Sequence, residues 1–127
     1  MPGVRTARWL AIVSLFVAAG SCSWLAPASV TSEGSPANGP SEVPRVSRTG
    51  RYVAFTSSAT NLVQGDTNNA PDVFVRDLTT GTVERISVSD SEAQGNGPSG
   101  GASISSDGRL VAFSSSATNL VTGDTNA

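Results

Sequence analysis

The chain has no histidine and no lysine, and its single cysteine is Cys22. A Ser-His-Asp triad, a Cys-His pair, a Ser-Lys pair, a Schiff-base lysine and a His or Cys zinc site are therefore excluded within these 127 residues. One cysteine makes no internal disulfide. Charged residues amount to 14% and the net charge is −2. That balance supplies no basic footprint for nucleic acid, and beyond the N-terminus there is no basic amphipathic face for anionic lipid. No long apolar run with a helical period follows the N-terminus, so no helix is expected there. Gly, Ser, Thr and Asn are plentiful instead, a composition that favours short strands and many turns.

Residues 1–28 read as a signal peptide. Arg5 and Arg8 form a positive start, and the apolar run from Trp9 to Ala19 has the length of a signal-peptide core, too short to span a bilayer as a helix. Two processing sites are open. Ala26-Pro27-Ala28 has the small-x-small form of an ordinary cleavage site. Ala19-Gly20-Ser21-Cys22 resembles a bacterial lipobox, with Ala19 where Leu is usual, and would make Cys22 a lipidated N-terminus. Either places the protein outside the cytoplasm: secreted, periplasmic or lipid-anchored, with Cys22 as its only membrane attachment. Residues 29–39, rich in Ser, Pro, Gly and Ala, are expected to be a flexible leader.

The remainder contains itself twice. Residues 51–68 return as residues 109–126 at a constant spacing of 58 (109 − 51), and Asn38-Gly39-Pro40-Ser41 returns as Asn96-Gly97-Pro98-Ser99. Self-similarity at such a period marks a repeat architecture. One full repeat reads as four short strands, over 45–47, 51–57, 72–77 and 82–88, with 103–105 as the second copy of the first. Thr49-Gly50 and Asp107-Gly108 read as tight hairpin turns whose central residues both need positive φ. In the second strand Tyr52 and Ala54 alternate with Val53 and Phe55, so both faces are apolar and both should be buried. Residues 58–71 form a long loop, which Leu62 and Val63 are expected to pin to the sheet. Glu84 and Arg85 put charge on the fourth strand, as suits an edge. Residues 89–101 cross to the next repeat.

Four antiparallel strands per repeat, apolar on both faces, describe β-propeller blades stacked between neighbours; a small β-sandwich is the alternative. The expected fold class is thus all-β. Over residues 40–127 it comprises about one and a half blades, an incomplete propeller, since closure takes about four blades. Ser105-Ser106-Asp107-Gly108-Arg109-Leu110-Val111-Ala112-Phe113 resembles the Ser-Pro-Asp-Gly-x-x-hydrophobic-Ala-Phe signature of TolB-type (WD-like) propeller repeats, with Ser106 in place of Pro. Asp72-Val73-Phe74-Val75-Arg76-Asp77 is similar to the Asp-Ile-Tyr-Val-x-Asp strand of that repeat. The resemblance implies periplasmic scaffolds, secreted binding proteins or the propeller domains of peptidases.

Chemistry-bearing candidates are few. Asp66, Asn68 and Asp72 place oxygen ligands along one loop, as Ca²⁺ would require. Ala70 and Pro71 stand where an EF-hand needs a ligand and a glycine, so the opposing reading has Asp66 and Asn68 bonding their own backbone in Asx-turns. Asp107 reads as a turn-former. Asp72 and Asp77 bracket one strand, too far apart for paired acid–base work. The expected function is a non-enzymatic binding or scaffold module with a protein or cell-envelope partner, no nucleic acid and no cofactor. The alternatives are the substrate-filtering propeller of a larger prolyl-oligopeptidase-like hydrolase and a Ca²⁺-stabilised surface protein.

Overall fold

The computed structural model describes residues 27–124. Six strands are present: β1 (Ser41–Val46), β2 (Tyr52–Ser57), β3 (Asp72–Asp77), β4 (Val83–Arg85), β5 (Ser99–Ile104) and β6 (Val111–Ser115), with no helix among the described residues. β1 to β4 form one antiparallel sheet in chain order, and β5 and β6 form a second. The chain is all-β.

β3 falls on the expected residues. Its register with β2 is unbroken from Tyr52↔Asp77 to Ser57↔Asp72. β1 and β5 are longer than expected because each continues past a bulge, between Glu42 and Arg45 in β1 and between Gly100 and Ser103 in β5. The two copies place the positive-φ bulge residue identically, at Val43 (φ 50) and at Gly101 (φ 66). β4 is shorter than 82–88, and one backbone bond extends it at each end: Asp77 N–H to Thr82 O at 3.0 Å and Ile86 N–H to Val73 O at 2.7 Å.

The expected hairpin turn with two positive-φ residues does not form. Gly50 (φ 73) and Gly108 (φ 77) adopt it, whereas Thr49 and Asp107 do not. Side-chain bonds explain the difference. Ser105 Oγ donates to Asp107 Oδ1 at 2.6 Å, and the Arg109 N–H donates to the same oxygen at 3.1 Å. An Asx-type closure of this kind works at ordinary φ and leaves only the following glycine in the left-handed region.

β2 is buried on both faces, as its two apolar faces require. On one face Val53, Phe55 and Phe74 pack with Ala59 and Leu62, and the Phe55 and Phe74 rings stack at 5.8 Å. Leu62 and Val63 thus hold the long loop to the sheet. On the other face Ala54 and Val73 meet Ala102 of β5, ringed by Ile104, Val111 and Phe113 of the second sheet. Val111 and Phe113 are the repeat counterparts of Val53 and Phe55, so unlike faces meet: the Ala54 side of the first unit receives the Phe113 side of the second. Tyr52 lies so close over Gly108 that a β-carbon there would overlap its ring. The Ala112 side of the second sheet is open, and Leu110, the counterpart of Tyr52, is 73% exposed.

Residues 29–39, expected to be a flexible leader, are tied down. Val30 and Pro36 form a β-bridge whose counterpart, 58 positions on, is Val88↔Gln94. The Arg76 guanidinium donates to the Val30 and Thr31 carbonyls at 3.0 and 3.2 Å, and the Val83 N–H donates to Ser32 Oγ at 3.1 Å. The segment therefore corresponds to the crossing between repeats. Residues 1–26, including Cys22 and most of the expected signal peptide, lie outside the described residues.

Candidate functional site

The loop over residues 58–71 carries the sequence-derived candidates and is anchored at both ends. At its start, Asn38 Oδ1 accepts from Thr60 N–H at 2.8 Å and Asn38 Nδ2 donates to Thr60 Oγ1 at 2.9 Å. Asn61 Oδ1 accepts from Asn38 N–H and its Nδ2 donates to Pro36 O, both at 2.9 Å. The second copy repeats all four bonds, with Asn96, Thr118, Asn119 and the Gln94 carbonyl. Space is tight beside each clasp. A β-carbon on Gly39 would lie 2.9 Å from Ser58 O, and one on Gly97 would lie 3.1 Å from Ser116 O.

At the loop's end the structure brings Asp66, Asn68 and Asp72 together, around a cation that the sequence reading missed. Arg85 Nη1 lies 3.6 Å from Asp66 Oδ1 and 3.5 Å from Asp72 Oδ2. Asp72 is fully buried. Its Oδ1 accepts from Ser87 Oγ at 2.6 Å and its Oδ2 from Asn68 Nδ2 at 3.2 Å. Asp66, with 3% of its side chain exposed, accepts from Gln94 Nε2 at 2.9 Å. Gln94 Oε1 in turn accepts from the Thr67 N–H and hydroxyl. Burial, and after it the Asp72 carboxylate, push Asp66 above the usual carboxylate range, against the opposing pull of Arg85 and Gln94.

The arrangement is a charge-compensated clamp. Asn68 Oδ1 accepts from Ala70 N–H at 3.0 Å, the expected Asx-turn, while its amide nitrogen faces Asp72 and the Gly95 carbonyl. Asp66 makes no such turn; it bonds across the loop to Gln94 instead. Among the described residues no cluster of three or more His, Cys, Asp or Glu side chains gathers as a metal site would. Arg85, expected on an exposed edge, is turned inward. Register counted back from the turn at Gly81 would have found it, since Phe74↔Arg85 sets it one pleat from Asp72. Nothing in the sequence marked Gln94.

The remaining candidates sit apart. Asp77, at the far end of β3, accepts Arg51 Nε and Nη2 and the Thr79 and Thr80 N–H groups, and Arg51 also lies over the Tyr52 ring at 4.9 Å. The Arg51 bond and those backbone donors hold Asp77 well below the usual carboxylate range. Asp107 closes its turn. A cleft of about 710 Å³ opens between Ser32, Glu33 and the loop from Thr60 to Thr67, with Asp66 of the clamp in its wall. No protein-family model, curated protein or solved structure matches the chain.

Proposed function

We propose that the chain is an exported, non-enzymatic binding or scaffold module built of TolB-type β-propeller repeats. The observation that supports this reading is the head-to-tail stacking of two units whose loop clasps agree bond for bond. A sheet that offers one face to its predecessor and the opposite face to its successor is the arrangement propeller blades use. The titratable groups nearest the long loop are spent on holding it, with Arg85 neutralising charge between Asp66 and Asp72. The cleft beside Glu33 and Gln64 is the surface left for a protein or envelope partner.

The test is crosslinking in the native cell envelope, comparing the parent chain with Glu33→Lys and Gln64→Lys, alongside assays for peptidase and esterase turnover. The expected result is a crosslinked partner lost in the cleft variants and no turnover above buffer. Turnover that disappears in Asp66→Asn or Asp72→Asn would overturn the non-enzymatic reading. Retention of the chain in the cytoplasm would overturn its export.

A further inference from the structure

Asparagine stands before glycine at two places in the chain, Asn38-Gly39 and Asn96-Gly97, and both asparagines are clasp residues. Asparagine is chemically labile, most of all before glycine, where no β-carbon shields the following backbone nitrogen. That nitrogen attacks the side-chain carbonyl carbon. The new C–N bond closes a succinimide, and the side-chain amide leaves as ammonia, taking up the proton that the glycine nitrogen gives up. Water then opens the ring to an aspartyl or an isoaspartyl residue. In the closed clasp this path is blocked. Asn38 Oδ1 accepts from Thr60 N–H at 2.8 Å and Asn38 Nδ2 donates to Thr60 Oγ1 at 2.9 Å, and Thr118 holds Asn96 at the same two distances. Turning the carboxamide carbon onto the glycine nitrogen breaks both bonds.

We infer that Asn38 and Asn96 are sites of spontaneous deamidation, and that each clasp is a one-way latch: it protects its asparagine while closed, and once opened and converted to isoaspartate it does not refasten. The second half of the inference follows from the room available. Isoaspartate lengthens the main chain by one methylene between residues 38 and 39, and the backbone beside Gly39 has no space for the shift. A β-carbon there would already lie 2.9 Å from Ser58 O and 3.0 Å from the Ala59 backbone nitrogen, and Gly97 meets Ser116 O and the Ala117 nitrogen at 3.1 Å. In the first repeat the released segment is Thr60 and Asn61, which line the cleft beside Ser32 and Glu33, so modification there loosens one wall of the cleft. The inference is independent of the propeller reading, since it needs only the two clasps.

The test is peptide mass spectrometry of the chain aged in mildly alkaline buffer, with isoaspartate told from aspartate by its fragmentation. Each copy is the other's internal control. In the folded parent both sites should react at least about ten-fold more slowly than in the chain unfolded in urea, since two side-chain bonds must open first. Thr60→Val removes one acceptor and should speed Asn38 about five-fold, the factor by which losing one ordinary hydrogen bond raises the open population, while Asn96 keeps its rate. Thr118→Val should do the reverse, and Thr60→Ser, which keeps the hydroxyl, should leave both rates slow. Molecules carrying isoaspartate at position 38 should exchange the Thr60 amide faster than unmodified ones. Equal rates in folded and unfolded chains, a Thr60→Val variant that changes neither site or both alike, or a Thr60 amide that stays protected in isoaspartyl material would overturn the inference.

Discussion

Arg85 Nη1 stands 3.6 Å from Asp66 Oδ1 and 3.5 Å from Asp72 Oδ2, so one guanidinium serves two buried carboxylates. Removing the cation strands both. Replacing Arg85 by Met should therefore cost about 3–5 kcal/mol, the usual consequence of leaving a buried charge uncompensated. Urea denaturation of parent and variant measures it, and a loss below about 1 kcal/mol would place the pair in the weak class of surface ion pairs. Calorimetric titration with Ca²⁺ should show no tight binding, because the position between the carboxylates is filled. Tight binding that vanishes in Asp66→Ala would make the loop a cation site after all.

Two carboxylates should respond to pH in opposite directions. Asp66 has its folded value raised, so the folded chain binds that proton more tightly than the unfolded chain. Its contribution is favourable in acid and is lost as pH rises through the folded value. Asp77 has its folded value lowered, so its contribution is present above the unfolded value, about 3.9, and is lost as pH falls toward the folded one. At neutral pH Asp66→Asn should be no less stable than the parent, whereas Asp77→Asn should be less stable, with that deficit closing in acid. Denaturation midpoints taken across the acid range test both signs.

The bulge residue of β1 is Val43 at φ 50, where the second repeat has Gly101 at φ 66. A β-branched residue in this region is a steric outlier. Val43→Gly should be neutral or stabilising by about 1 kcal/mol, the left-handed penalty less the flexibility that glycine adds to the unfolded chain. Gly101→Val should destabilise, since its β-carbon would also press Ser114 Oγ at 3.3 Å. Chemical denaturation showing the opposite order would contradict the bulge geometry.

Gly39 and Gly97 sit under equivalent clasps; the methyl group of alanine at Gly39 meets backbone at 2.9 Å, and at Gly97 it meets backbone at 3.1 Å, where the neighbouring backbone must yield. Each substitution should cost about 1–3 kcal/mol, the range for overpacking. The readout is the same denaturation experiment. A cost at Gly39 but none at Gly97 would show the second clasp to be loose.

Much of the fold was legible because it was written twice. The period, β3, the two-faced burial of β2 and the pinning role of Leu62 all follow from alternation and repetition, which are local signals. The turns were misread because Asp107 has two ways to make a turn, and the choice depends on Ser105 Oγ, not on the Asp-Gly pair. Residues 29–39 looked like a leader because their small polar composition does not reveal that Arg76, nearly fifty positions away, donates to their carbonyls. The candidate site was half visible. Oxygen-bearing residues at Asp66, Asn68 and Asp72 stood out, but the partner that decides their chemistry, Arg85, lies on another strand and is reached only through register. Gln94 comes from the crossing segment, and no periodicity announces it.

The Asn61 clasp ends on Pro36 and the Asn119 clasp on Gln94, so each long loop is held by the stretch that precedes its own sheet. In evolutionary terms the copied module is consequently offset from the visible sheet. A module excised at the start of β1 would leave its own long loop without the Pro36 and Asn38 fastening, which lies before the cut. The breakpoint that keeps the fastening intact falls upstream of Val30 and of Val88. A module cut there carries its own fastening with it, whereas one cut at β1 does not.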